Sequence, residues 1–390
     1  MQIKLIDVEP RPVWFEAGLR NCVNYYRAEL PARMTGGVSG GAIEVSADGQ
    51  GFAPLDVSRR EDLKRVLTAS EVTIRGLGTC NVFLHGNLFD YSPELPQFVA
   101  ALESAGATVA IDWDDNITSP EWARETIAAV REEEFRRFKR TFPGWGRFEH
   151  DIHWNNSQRA RAEGELARRW REQIFRASKR HIVATPDLRT VVLSQNPSAD
   201  VRLAPNAIDP RDYGRQKARC GPVRIGVTGN AIPHRRDVEA LAITAMRQCS
   251  CRYGAELHFW GRGWDGIAAE HMLHPSLPTR EFHNDIALLD VALLPLIDDD
   301  MNRARSAQRW FEHSVHGTAC VVSDLPPYAC VEHGVTGFKA RTEAEFTRYS
   351  LMLCKDAALR KRIGEAAREA VMARHTVTAC AEQWRAAVAA

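Results

Sequence analysis

A chain of 390 residues is long enough for two domains, each with a sizeable core. Its 44% hydrophobic and 26% charged residues are ordinary for a soluble globular protein, and a formal net charge of +1 excludes a global pull towards nucleic acid or membrane. Nine cysteines form no CxxC pair, and several sit in apolar runs, as Cys320 and Cys354 do, which reads as reduced, mostly buried thiols of a cytosolic protein.

The opening MQIKLIDVEPRP lacks the apolar region of a signal peptide, and no run approaches the roughly 18 apolar residues of a membrane span. Neither a membrane span nor secretion by a visible leader is therefore expected. Residues 2–8 read as a short strand. Residues 19–30 (LRNCVNYYRAEL), followed by Pro31, predict a loop running into a helix that the proline stops. Residues 35–60 are rich in Gly, Ser and Asp; within them 43–45 is the clearest strand.

From Asn81 an α/β rhythm sets in. A short apolar strand, 81–84, opens onto His85-Gly86-Asn87. A helix over 94–104 stops at Gly106, and a strand over 108–111 ends in Asp112-Trp113-Asp114-Asp115-Asn116. Strand, helix and strand at this spacing form a βαβ unit, hence a parallel sheet with both polar clusters at the strands' C-terminal edge. The carboxylates suit either a divalent metal or a helix cap with arginine partners. His85 is a candidate for hydrogen bonding to a ligand, or a structural histidine.

Residues 121–180 read as helical and heavily charged. Between Arg131 and Arg180 there are 14 Lys or Arg against 8 Asp or Glu, interleaved with aromatics from Phe135 to Trp170. Such a run suits an anionic partner, a lipid diphosphate or a nucleic acid, or is a solvated helix face. A strand at 181–184 leads through Thr185-Pro186 into a helix, a strand at 201–203 leads to Pro205-Asn206-Ala207-Ile208-Asp209, and the breaker-rich 210–221 reads as a linker.

The second half starts afresh. A strand at 223–227 opens onto Thr228-Gly229-Asn230, and an amphipathic helix begins near Arg236 with His234 and Arg235 just before it. A glycine turn ahead of a basic helix start is a phosphate cradle. The strand 256–260 ends in Gly261-Arg262-Gly263-Trp264, and 282–286 leads into the apolar run before Pro295. Beyond lie the acidic loop Asp298-Asp299-Asp300, a helix over 306–316 with Arg305 and Ser306 at its start, a turn at Gly317, a strand over 319–322 and a Ser-Asp-x-Pro-Pro loop. Such a helix start beside an arginine suits an anion, above all a phosphate. From Glu343 the chain is helical, with 359–375 patterned as a surface helix.

The order of residues over 290–337 resembles the nucleotide-sugar-binding segment of glycosyltransferase family 4. The matching residues are Asp290, Pro295, Leu296, Asn302, Arg305, Ser306, Arg309, Glu312, Gly317, Ser323, Asp324, Pro327, Tyr328, His333, Gly334, Thr336 and Gly337. The resemblance implies an α/β chain of GT-B architecture, two Rossmann-like domains facing across a cleft with a C-terminal helix crossing back to the first. It puts an acceptor-side domain at 1–210 with the charged insert near 121–180, a nucleotide-sugar-binding domain at 222–375, and the returning helix at 376–390.

The implied activity is glycosyl transfer from a nucleotide-diphosphate sugar to an acceptor hydroxyl, retaining and independent of metal, with a UDP- or GDP-sugar as donor substrate and no tightly bound cofactor. By resemblance, Arg305, Arg309 and His85 are the catalytic candidates. Donor contacts fall to Gly229, Asn230, His234, Arg235, Arg236, Ser306 and Glu312, the last at the ribose. Trp264 either stacks on the base or packs. Tyr26 and Arg27, with Asp112, Asp114 and Asp115, form the acceptor side. The implied acceptor is a polysaccharide or lipid-linked glycan, with a modified nucleic-acid base as a less favoured class, and the implied location is cytoplasmic or peripheral at the inner membrane face. One departure matters: the first glutamate of the family's E-x7-E pair is Ala304 here. Asp298, Asp299 and Asp300 are substitutes for its sugar contact. The departure keeps two alternatives open, a catalytically silent nucleotide-sugar-binding protein and a nucleotide-sugar epimerase.

Overall fold

The structure is a computed structural model, described over residues 2–15, 22–57, 59–84, 94–115, 119, 172–176, 178–214, 221–229, 231–264, 267, 272–275 and 277–389. The chain divides into two compact units, residues 1–205 with 381–390, and residues 206–380.

The first unit carries two sheets. One is a six-stranded parallel sheet among the described residues, built from β2 (Val13–Phe15), β3 (Val38–Ser39), β7 (Asn81–Leu84), β8 (Val109–Trp113), β9 (Arg180–Val183) and β10 (Asp200–Leu203). Its order is β10-β9-β8-β7-β2-β3. The other is a small mixed sheet of β1 (Gln2–Leu5), β4 (Ile43–Ala47), β5 (Ala53–Leu55) and β6 (Glu71–Arg75), ordered β1-β6-β4-β5. Its strand β6 follows a helix, Arg60–Thr68, that the sequence reading did not anticipate.

Two local expectations are corrected here. Pro31 does not stop its helix: Cys22–Asn24 continues as a π-turn over Tyr25–Glu29 and then as Leu30–Thr35, closing at Gly36 with φ 69°. The Leu30 N–H bonds to the Tyr25 carbonyl, a wider register that lets a residue without an N–H enter the next turn. Strand β8 also runs two residues further than predicted, so Asp112 and Trp113 lie within it and are buried. The charged region 121–171 and the loop bearing His85 lie outside the described residues.

The second unit holds one six-stranded, all-parallel sheet among the described residues. Its strands are β11 (Arg224–Val227), β12 (Glu256–Trp260), β13 (Met272–His274), β14 (Val291–Leu294), β15 (Ala319–Ser323) and β16 (Phe338–Ala340), in the order β13-β12-β11-β14-β15-β16. Both faces are covered. Val291 and Leu293 join a core with helices Ala231–Leu241, Ile243–Tyr253 and Glu343–Lys355, while Ala292 and Leu294 join a second core with Gln308–Ser314 and Ala357–Arg374. Burial on both faces is why these strands read as continuous apolar runs rather than as alternation.

The last helix, Val377–Val388, ends in the first unit. Its final carbonyls are capped by arginines: Arg202 donates to Ala386 and Ala389, and Arg180 to Ala389. Cations at a helix C-terminus are favoured by its exposed carbonyls and dipole. Trp384 donates from Nε1 to the Pro205 carbonyl, and Arg27 stacks over its ring at 4.5 Å. Among the described residues, no helix is long and apolar enough to cross a membrane.

Candidate functional site

Sheet order locates the site. Strand β11 sits between β12 on one side and β14 on the other, so the connections leaving β11 and β14 diverge and open a crevice at the strands' carboxyl ends. Ligands of open parallel sheets bind at such switch points. From β11 come Thr228 and Gly229, the latter at φ 103°. A Cβ added to Gly229 would stand 3.0 Å from His234 Cδ2, so a side chain here is opposed by both backbone and packing.

The helix after this turn starts at Ala231, earlier than predicted, which puts His234, Arg235 and Arg236 beyond its first three positions rather than at its mouth. The three diverge. Arg235 pairs with Glu239 at 2.9 Å on the exposed side. Arg236 pairs with Asp299 and lies 3.9 Å from Asp237. Only His234 turns inward, where it is buried.

From β14 the chain turns at Leu296, whose N–H and carbonyl both bond to the Ser323 hydroxyl at 2.7 and 2.8 Å. It then forms a short helix, Asp300–Arg303, capped by Asp299, which accepts the Asn302 N–H at 2.8 Å. Asp298 pairs with Arg303. Two of the three aspartates expected to replace the missing sugar contact, Asp298 and Asp299, are therefore engaged in ion pairs and, at Asp299, in capping. The next helix begins at Gln308, not Ser306, and is 7 residues long. Ser306 lies before it, its hydroxyl accepting from Asn206 Nδ2 at 2.9 Å. Side chains, rather than a helix start, line this part of the crevice.

Those side chains are Arg305, Arg309 and His234. Arg305 Nη1 stands 3.2 Å from both ring nitrogens of His234. Arg309 Nη2 is buried with no hydrogen-bond partner among the described residues, and both amide atoms of its neighbour Gln308 are in the same condition. A buried guanidinium N–H without an acceptor is costly to keep, so its retention calls for an explanation. Burial, then the charges of Arg309 and Arg305, hold the His234 ring well below the usual histidine range. The same two cations act on Tyr328, whose hydroxyl burial pushes upward.

Two cross-links fix the crevice walls. Asp237, 0% exposed, accepts the Ile297 N–H at 3.1 Å and Asn302 Nδ2 at 3.2 Å. Thr228 Oγ1 meets His313 Nε2 at 3.0 Å; burial pulls His313 down to about 3, so it is neutral near pH 7. Sequence reading missed Asp237, His313 and Asn206. Trp264 is 1% exposed and packs in the core, its Nε1 donating to the carbonyls of Gly229 and Trp260. Of the two roles open to it, stacking on a base has no ring surface to use; it braces the glycine turn. Glu312, one turn beyond Arg309, is buried at 5% exposure. Asn230 lies outside the described residues.

Of the residues expected on an acceptor surface, Tyr26, Arg27 and Asp112 are buried. Arg27 and Asp112 form a two-point ion pair, Nε and Nη2 to the two carboxylate oxygens at 2.8 and 2.6 Å, with side chains 0% and 1% exposed. Arg27 also donates to the Ala204 carbonyl at 2.7 Å. Tyr26 is 4% exposed and packs edge-on against Tyr25. Asp114 and Asp115 follow the strand, partly buried.

No family model and no curated protein matches the chain. Among solved structures, it is similar to a sucrose-phosphate synthase from Thermosynechococcus elongatus, with a TM-score of 0.59 at 11% identity, over 96% of this chain and 97% of that one. HepE of Anabaena in complex with UDP-glucose gives 0.50 at 13% identity, over 78% of this chain and 77% of that one. A variant of S. aureus TarM in complex with Fondaparinux, α-GlcNAc-glycerol and UDP gives 0.52 at 12% identity, over 80% of this chain; the match spans only 55% of TarM. At such identities the likeness is one of fold: an α/β chain with two parallel-sheet, Rossmann-like domains of GT-B type.

Proposed function

We propose that the chain is a glycosyltransferase that binds a nucleotide-diphosphate sugar, a UDP- or GDP-sugar, in the β11–β14 crevice and transfers the sugar to an acceptor hydroxyl. The observation that carries this reading is the buried, unpartnered Nη2 of Arg309 beside Arg305 and His234 at the switch point. A diphosphate supplies the missing acceptors and the opposing charge. The fold likeness to sucrose-phosphate synthase and to HepE in complex with UDP-glucose is consistent with it.

In the proposed reaction the bond from sugar C1 to the β-phosphate oxygen breaks, the acceptor oxygen bonds to C1, and the acceptor proton leaves on the phosphate. Arg305 and Arg309 offset the charge that develops on the departing diphosphate, which is how such a step proceeds on protein charges. Attack from the face the diphosphate leaves gives retention, hexosyl transfer is the favoured case, and Glu312 serves the ribose hydroxyls. The acceptor is a glycan, lipid-linked at a membrane surface, for which the basic, aromatic-bearing run 121–180 is the supporting feature. His85 stays a candidate for the acceptor end of this chemistry.

Ala304, buried at 1% exposure where the family pattern has a glutamate, favours a second reading, a binder of nucleotide sugars without turnover. A thermal-shift screen of UDP- and GDP-sugars tests the first half, since a ligand at a hundred times its Kd adds about 2.7 kcal/mol. Release of nucleoside diphosphate from the stabilising donor then separates the two readings: the enzyme releases it and the silent binder does not. No stabilisation by any donor defeats both.

A further inference from the structure

We infer that His234 takes up a proton when a nucleotide-diphosphate sugar binds, so that the site gains a third cation only while the donor is present. The inference rests on the donor-site reading above and extends it to the site's charge state.

The geometry sets the free state. Arg305 Nη1 at 3.2 Å from both imidazole nitrogens is a contact that a neutral ring accepts and an imidazolium repels. Arg309 is the second cation acting on the ring. Against them stands one carboxylate on His234's own helix, Asp237, with Oδ2 4.0 Å from His234 Nδ1. Behind it, Arg236 draws on the same carboxylate at 3.9 Å. Tyr328 and His313, further groups around the two arginines, are uncharged near neutral pH. The unliganded surroundings of the ring are thus net positive, and burial adds to the cost of charging it.

Donor binding reverses the sign. A diphosphate diester brings two negative charges to Arg305 and Arg309 and offsets both cations that hold the ring neutral. Asp237, with Oδ2 4.0 Å from Nδ1, then favours the charged ring. The Gly229 turn admits this, because the ring edge bearing Nε2 lies beneath it: a Cβ on Gly229 would stand 3.5 Å from that nitrogen. The pKa of His234 is depressed in the free protein and rises on binding. By linkage, donor affinity therefore increases as pH falls through the window between the two values, by at most about tenfold per pH unit. The proton comes from solvent and returns to it when nucleoside diphosphate departs.

The test uses the full chain with UDP-glucose and GDP-mannose, donors with no phosphate group titrating near neutrality. Calorimetric titrations in two buffers of different ionisation enthalpy count protons directly, and Kd is measured from about pH 6 to about pH 8. Expected is net uptake approaching about one proton per donor at the acid end, with affinity tightening towards low pH. His234→Gln should bind with flat pH dependence, losing the tightening from about pH 8 to about pH 6 that wild type shows. Donor binding by wild type without uptake overturns the inference while sparing the donor site, as does uptake that persists in His234→Gln. Absence of binding by either donor at every pH overturns both.

Discussion

Replacing Arg309 by methionine should move stability and donor affinity in opposite directions. In the free protein, Nη2 of Arg309 is buried without an acceptor, and an unsatisfied buried polar group costs about 1–3 kcal/mol. Methionine keeps the unbranched stem and removes that cost. Against this stands the attraction of Arg309 for Asp237, which Arg305 and Arg236 also supply. Free-protein stability should thus be unchanged or higher. Donor binding should lose a charge-assisted hydrogen bond, about 1.5–3 kcal/mol, which is about 10- to 150-fold in Kd. Urea midpoints of the unliganded chain and calorimetry with UDP- and GDP-sugars read the two effects. A variant that is less stable by about 2 kcal/mol or more yet binds donor like wild type would make Arg309 a structural residue and refute the reasoning.

Glu312→Ala should weaken donor affinity, and unchanged calorimetric affinity would remove that residue from the donor site. A Cβ on Gly364 would lie 1.9 Å from the Gly317 carbonyl oxygen, so Gly364→Ala should cost about 1–3 kcal/mol or more, seen as a lower urea midpoint. Arg27→Met leaves Asp112 buried without its partner and should cost about 3–5 kcal/mol, whereas Arg27→Met with Asp112→Leu should recover most of it; equal losses would deny the pair its role. His181 is held neutral, down to about 4, chiefly by burial, with Trp113 Nε1 donating to its Nδ1 at 2.9 Å and Ser178 O 3.2 Å from its Nε2. Its folded value is depressed below the ordinary 6.5, so stability should fall as pH drops from about 6.5 towards about 4, by up to about 3 kcal/mol, and His181→Gln should flatten that slope.

What was legible in the sequence was what local pattern determines. The runs at β11, β12, β14 and β15 are short and mostly apolar because both sheet faces are covered, and they were read as strands. Strands β13 and β16 span only three residues each, too few for any period to register. Strand β6 did carry a signal, since EVTIR alternates exposed and buried positions, but its partner β4 lies in a Gly-rich stretch that masks the pairing. The helix start at Ala231 was also signalled, by a proline at its third residue, a position where the missing N–H costs nothing.

The polar residues at strand ends were the harder problem, because their meaning depends on partners remote in sequence. Arg27 and Asp112 are 85 residues apart, Asp237 and Ile297 are 60, and Asn206 and Ser306 are 100. Sequence placed Asp112 and Ser306 near the edge where α/β sheets bind ligands and singled out neither Asp237 nor Asn206; where it did place a residue, that placement does not distinguish a group held for substrate from one satisfied by the fold. Satisfaction makes the distinction. Arg27 spends its guanidinium on a carboxylate and a carbonyl. Arg309, with the same side chain and a buried N–H left without an acceptor, keeps a donor to offer, which is the observation behind the proposed diphosphate site.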